Sequence, residues 1–489
     1  MNRPTLCFSI AILLALGLAP APIVAAAAGA APAAAAPPAA SQQKAARILP
    51  DFKKEVLGNG LVVLVAEKKG LPLVSIDLIL RTGSTSDPAG KEGLASLTLE
   101  LARHGAGARN AAAFDEAIES LGARLATGAD LDSCTVSAEF MSRHFGEGLG
   151  LLGDLVQRPA FTAEEFDRTR AKALAELVQD LEDPSTVVSR RFMRFLFGAH
   201  PYGRPVAGTP ASLNRLTRED VTSFHARHFV PSNAILAIVG DVDPAAAVGR
   251  AREVFGGWPA RPAPKTEVSR PEPVRGRRVL IVDRADVNQT QIRIGTVGIA
   301  RSDPDYFPVD VANTILGVPF TSWLNQEIRE KRGLSYGASS GFAALRQPGP
   351  IVVDTFTRNE RLGEAVEASL ATIQRLQSGG CAAEDLSKAH NYRAGTFPLS
   401  LETSNQVAAA LVEMELYGLS REFYDRQVEK IRAVTLEDIA RAGKLFPVEN
   451  AVIVVVSPAS TARPVLERFG PVTVEPLEEP GEKAPEKAN

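Results

Sequence analysis

Apolar positions along the chain follow two rhythms. Val56–Glu67 (VLGNGLVVLVAE) sets apolar strand residues on either side of an Asn-Gly turn signal and predicts a hairpin. Leu73–Arg81, Thr135–Met141 and Ala234–Val239 (AILAIV) are short apolar runs that predict strands. Between them the period lengthens. Gly93–His104 places Leu94, Leu97 and Leu101 on one helical face. Ala113–Leu121 predicts a second helix, and Ala163–Leu181 a long, charged, amphipathic one.

Trp258–Arg278 interrupts both rhythms with five prolines among many charges. Proline restricts φ, so residues 258–278 predict a semi-extended linker. Beyond it the order of elements begins again. Gln291–Thr296 reads as a strand, Asp310–Leu316 and Trp323–Lys331 as helical, Ser335–Phe342 and Ile351–Thr355 as strands, and Arg361–Gln377 as a helix. Two echoes support a repeat. Asn233 is followed by AILAIVGDVDPA and Asn450, 217 residues on, by AVIVVVSPASTA. Ala163-Glu-Glu-Phe opens a helix, and so does Ala383-Glu-Asp-Leu, 220 residues on. The pattern predicts an α+β protein of two homologous α/β domains, residues 48–257 and 279–470. The Pro/Glu/Lys-rich tail, residues 471–489, predicts disorder.

Composition narrows the field. Hydrophobic residues make up 45% and charged residues 23% of 489, the balance of an ordinary folded protein rather than a disordered or polytopic membrane chain. A formal net charge of -3 argues against a nucleic-acid partner, which calls for a basic excess. Three cysteines are too few for a disulfide scaffold or a thiolate zinc site. Cys134 and Cys381 leave a single disulfide open.

The N-terminus predicts export. Arg3 supplies a positive n-region, and Phe8–Ala19 is an apolar core of twelve residues, short of the roughly 20 that span a membrane. Small residues with A-x-A cleavage options follow. Residues 1–28 read as a signal peptide and 29–47 as an Ala/Pro-rich leader. The expected location is outside the cytoplasm, most simply the bacterial periplasm, without stable membrane insertion.

Several blocks then point the same way in their order and spacing. They are Arg81-Thr-Gly-Ser with Gly93-Leu-Ala, and His200-Pro-Tyr-Gly-Arg-Pro with Gly208-Thr. Phe224-His, Phe229-Val-Pro-Ser-Asn and Val239-Gly-Asp-Val follow, then Asn313-Thr-Ile-Leu-Gly and Leu324-Asn-Gln-Glu-Ile-Arg-Glu-Lys-Arg-Gly-Leu-Ser-Tyr-Gly. In these the chain resembles the pitrilysin/insulinase family of zinc peptidases, in the short form that includes the mitochondrial processing peptidase subunits. The resemblance covers Phe52 to Gly470. It implies a half clamshell of two domains, each an antiparallel-rich sheet packed with helices.

The family's zinc site is H-x-x-E-H with a glutamate about 76 residues later. Two histidines at i and i+4 share a helix face and can hold one ion, and the glutamate between them serves as base for a zinc-bound water. Here the corresponding stretch reads Ser96-Leu97-Thr98-Leu99-Glu100. Ser96 stands for the first histidine, Leu99 for the base and Glu100 for the second histidine; Glu176 falls where the distal ligand belongs. A serine hydroxyl is a poor zinc ligand near neutral pH and leucine takes no proton. The resemblance therefore implies no catalytic set and no metal on this chain. Glu100 and Glu176 are expected to be solvated or hydrogen-bonded helix residues.

In the second half, Arg329 and Tyr336 match a family pair that binds the substrate backbone and helps stabilise the oxyanion formed in hydrolysis. The spacing puts Arg329 in the last turn of a helix ended by Gly333, with Tyr336 on the next strand. Arg332 is the alternative to Arg329. One departure stands out: the family's Gly-Gly turn is replaced by Gly317-Val-Pro-Phe-Thr-Ser-Trp-Leu, with Trp323 at the usual arginine position. His225 and His228 form H-x-x-H without a nearby acidic ligand and read as framework; His104, His144, His200 and His390 are isolated.

The resemblance thus implies the non-catalytic, substrate-binding subunit of a heterodimeric zinc peptidase. It would take up peptides, and zinc would reside on a homologous partner that keeps H-x-x-E-H. The alternative is a non-enzymatic scaffold or peptide-binding protein of the same fold. No G-x-S-x-G or other nucleophile motif competes.

Overall fold

The structure, a computed structural model, describes residues 47–477. The expected signal and leader, Arg47 excepted, lie outside the described residues, as does Cys7.

Each half builds one six-stranded sheet. In the first, the strands run in the order Phe52–Val56, Val62–Glu67, Ala234–Gly240, Leu73–Leu80, Cys134–Met141 and Arg124–Ala129. In the second, from the corresponding edge, the order is Val472–Pro476, Arg277–Asp283, Ala451–Ser457, Gln289–Val297, Pro348–Arg358 and Ala338–Ala344. Five of the six strands match in order and direction. In both sheets the second and third strands are parallel and every later neighbour is antiparallel. The echo at Asn233 and Asn450 marks the two parallel partners, whose seven residues each are all buried. Burial on both faces is why those runs are continuously apolar instead of alternating.

The sixth strand breaks the symmetry. Phe52–Val56 pairs antiparallel as one arm of the predicted hairpin, whereas Val472–Pro476 pairs parallel with Val279–Asp283. This corrects the predicted disorder for Val472–Pro476; residues 478–489 of the predicted tail lie outside the described residues. Val472, Thr473 and Val474 suit an extended edge strand, and Arg191 and Arg194 reach Glu475 at 3.3 and 3.1 Å.

The halves exchange a helix. Pro184–Phe197 packs on strands Gln289–Val297 and Ala451–Ser457 of the second sheet, with Val188, Phe192 and Leu196 against Val452, Val454 and Val456. Its counterpart Ser404–Leu416 packs on strands Leu73–Leu80 and Ala234–Gly240 of the first, with Val407, Ala408 and Leu411 against Ile235, Ala237 and Val239. Each exchanged helix buries apolar area that neither half could cover alone, at about 25 cal/mol per Å². A buried polar joint fixes the angle. The Tyr202 hydroxyl donates to the Asp132 carboxylate (3.1 Å) and accepts from Gln347 N–H (3.0 Å), while Arg346 N–H donates to Asp132 (2.8 Å). The block His200-Pro-Tyr-Gly-Arg-Pro therefore serves the joint between halves. His200 also ties down the linker through Ser269 O at 2.8 Å. Pro259–Arg275 has no regular secondary structure, and it buries Val268 and Val274.

Candidate functional site

The helix Leu94–Ala102 carries the degenerate motif. Its start is held by Asp87, whose carboxylate accepts from Gly93 N–H and Ala95 N–H, both at 2.9 Å. Gly93 sits at φ +91°, and a Cβ there would lie 2.9 Å from Ala207 O, so only glycine allows this close approach. Leu94, Leu97 and Leu101 are buried as the periodicity predicts. Leu99, at the base position, is 1% exposed and belongs to the core of the first half. Ser96 and Glu100, one turn apart, are left on the partly open face.

Across that face runs the helix Ala163–Asp180. Lys172 Nζ donates to Glu100 Oε1 at 2.9 Å and lies 3.7 Å from Glu176 Oε1. A lysine ammonium thus stands near both carboxylates that the resemblance sets at zinc-ligand positions. Burial pushes the Glu100 carboxyl up, but the Lys172 hydrogen bond and charge, helped by Arg103 and His104, bring it below the ordinary carboxylate range. The Lys172 ammonium is raised in turn, chiefly by its hydrogen bond to Glu100. His104 Nε2 is 3.9 Å from Glu100, and Arg168 contacts its Nδ1 at 3.3 Å. Burial lowers the His104 pKa, which favours the neutral ring. Among the described residues no group of three His, Cys, Asp or Glu side chains could hold a metal ion. The residues here do not fit zinc: one hydroxyl, one core leucine and two carboxylates, one of them hydrogen-bonded to an internal cation. Lys172 and His104 escape a motif search, although each stands four residues from a motif position: Glu176 for Lys172, Glu100 for His104.

His225 and His228 do not converge on a point. His225 Nε2 lies 2.8 Å from Val156 O, and His228 Nδ1 lies 3.2 Å from the Thr82 hydroxyl. Burial pushes both imidazoles down to about 4. They are framework. Cys134 and Cys381 are both free, so they form no disulfide.

In the second half, Asn325–Lys331 forms a wide i→i+5 helix that Gly333 terminates at φ +58°. Arg329 stands in its last turn, as the spacing predicts. Tyr336 is placed differently: it lies in a bend, and the strand starts only at Ala338. The reason is local. The Ser335 hydroxyl engages Gly337 at both its N–H and its carbonyl, and Asn325 Oδ1 accepts from Ala338 N–H. The bend leaves Tyr336 81% exposed. The Arg329 guanidinium lies 4.1 Å from the Phe320 ring centroid. Among the described residues neither Arg329 nor Tyr336 has a side-chain hydrogen bond or ion pair. Arg332, the alternative, is tied to Glu327 at 2.8 Å. Trp323 is buried, donates to Asp385 and stacks with Arg375, so it anchors the helix rather than lining an open site.

Residues 62–210 match the family model for insulinase (peptidase family M16), and residues 215–392 match that for the peptidase M16 inactive domain. The chain belongs to the insulinase family of peptidases. Among its relatives, an uncharacterized zinc protease of Mycobacterium leprae is 27% identical over 392 residues, 79% of this chain and 87% of that protein. An uncharacterized zinc protease of Bacillus subtilis is 20% identical over 410 residues, 83% of this chain and 98% of that protein. A crystal structure of the peptidase M16 inactive domain from Pseudomonas fluorescens matches at a TM-score of 0.79 and 27% identity, over 83% of this chain and 98% of that chain. A protease from Helicobacter pylori shares the insulinase-family fold at a TM-score of 0.79 and 20% identity, over 84% of this chain and 100% of its own. Among the described residues no helix is long and apolar enough to cross a membrane.

Proposed function

We propose that this insulinase-family protein is the non-catalytic, substrate-binding subunit of a heterodimeric zinc metallopeptidase that acts on peptides in the bacterial periplasm. The observation that carries the reading is the contrast between Lys172 and Arg329. Lys172 gives Glu100 a counter-charge at the proposed former zinc position, while among the described residues Arg329 has no anionic partner and Tyr336 is exposed. Zinc belongs on a homologous partner that retains H-x-x-E-H. This chain supplies Arg329 to peptide carbonyl oxygens and Tyr336 as a further donor. An extended peptide would be held by strand addition at a sheet edge.

Co-expression with an H-x-x-E-H homologue from the same genome tests this. The expected result is co-purification and chelator-sensitive hydrolysis by the pair, with none from this chain alone. Hydrolysis by this chain alone that chelator abolishes would overturn the proposal. An inactive pair that still binds peptide would favour the scaffold reading.

A further inference from the structure

The turn that replaces the family's mobile glycines is stiff and pinned. Gly317 opens it against Ser340, where an added Cβ would lie 2.3 Å from the backbone nitrogen. Pro319 fixes its own φ, and its carbonyl accepts from Ser322 N–H at 2.9 Å. The Gln326 side chain donates to Thr321 O at 2.8 Å and so fastens the turn to the following helix. Out of this turn stands Phe320, 59% exposed. Like Val318 in the same turn, Phe320 is an exposed apolar residue, ordinary on most surfaces. This one has an arginine over its face, 4.1 Å from centroid to Cζ, well inside the range of a cation–π contact.

The surrounding charges show what the contact does. Lys331 and Arg332 both bond to Glu327, at 3.3 and 2.8 Å, and among the described residues neither Glu327 nor the adjacent Glu330 pairs with Arg329. Arg329 is left with the ring as its partner. A free arginine samples many rotamers and must lose them to bind; a guanidinium already laid on a ring has lost part of that freedom beforehand. A guanidinium also carries more N–H donors than a contact with one ring face can occupy, so donors remain for a carbonyl or carboxylate oxygen.

We propose that Phe320 is a positioning residue of the peptide site: its ring, presented by the stiff Val318–Pro319 turn, holds the Arg329 guanidinium ready for a peptide oxygen. The inference rests on the role proposed for Arg329. The glycine-to-bulky change thus trades a mobile turn for a preset one.

Fluorescence anisotropy of labelled β-casein, an unfolded chain, titrated with the full-length protein, tests this. Phe320→Ala should weaken binding by roughly fivefold. Phe320→Tyr should restore it to within about twofold, because the ring face returns. Phe320→Leu should stay weak, since it supplies apolar bulk without a π face. The double variant Phe320→Ala/Arg329→Ala should bind no more weakly than Arg329→Ala alone. Unchanged binding in Phe320→Ala, with Arg329→Ala weakened, would overturn the inference and leave the proposed function standing. Full rescue by leucine would overturn it as well. Unchanged binding in Arg329→Ala would instead remove the reading of Arg329 on which the inference rests.

Discussion

On the helix Leu94–Ala102 of the first half, Glu100 has found a counter-charge within the chain, and Leu99 has moved into the core. At the end of the helix Asn325–Lys331 of the second half, Glu327 is spent on Lys331 and Arg332, while among the described residues Arg329 and Tyr336 have no hydrogen-bonded side-chain partner. The two halves share five strands of topology, so their fold does not explain the difference. What separates them is where the counter-ions lie. Glu100 is a partly exposed carboxylate that takes a cation within reach, and Lys172 supplies it from the facing helix at modest gain. On the proposed reading, Arg329 keeps its charge unmatched because its partner is a peptide oxygen.

The comparison can be broken first at the metal. Ser96→His/Glu100→His/Lys172→Ala, with Glu176 untouched, should gain stoichiometric zinc by elemental analysis of dialysed protein. The same histidines with Lys172 retained should gain far less, because an ammonium would sit beside the ion. Equal uptake in both would mean that Lys172 does not guard the position. Next, Leu99→Glu should cost several kcal/mol, since an unpaired carboxyl would enter an apolar core. Denaturant midpoints measure this, and a neutral effect would show that the base position has not become core.

A smaller effect separates framework histidines from site residues. His225 and His228, pushed down to about 4 by burial, bind fewer protons folded than unfolded between their folded pKa and the model value of 6.5. Their contribution to stability is full above pH 6.5 and is lost as pH falls through 4. Asp77, raised to about 6 by burial, slopes the other way between 3.8 and 6. The informative quantity is therefore the difference between wild type and His225→Gln, which should shrink by roughly 2 kcal/mol as pH falls from 7 to 4. A difference that holds constant with pH would contradict the buried, neutral imidazole. Smallest of all, Lys172→Ala alone should change stability by less than about 1 kcal/mol, because the pair is half exposed.

Much of this was legible in the residues. The repeat showed in AILAIV and AVIVVV because central parallel strands are buried on both faces and so read as unbroken apolar runs. Ser96, Leu99 and Glu100 read as a degenerate zinc motif because metal chemistry permits few side chains. Other features were hidden for physical reasons. The strand Val472–Pro476 looked like tail because its partner, Arg277–Asp283, is distant in sequence. Spacing alone places Tyr336 on a strand because the Ser335 turn is set by side-chain hydrogen bonds that no periodicity encodes. Lys172 was invisible because its meaning depends on Glu100, which lies on another helix. Tyr202 drew notice only through a motif; its work at the joint depends on Asp132 and Gln347 from two different halves.

The most direct test places the two halves side by side in one binding measurement. Labelled β-casein is titrated against wild type, Arg329→Ala and Glu100→Ala. The account predicts binding at least about tenfold weaker for Arg329→Ala, the scale of a lost charge-assisted hydrogen bond, and unchanged for Glu100→Ala. Weakened binding in Glu100→Ala with Arg329→Ala intact would contradict it.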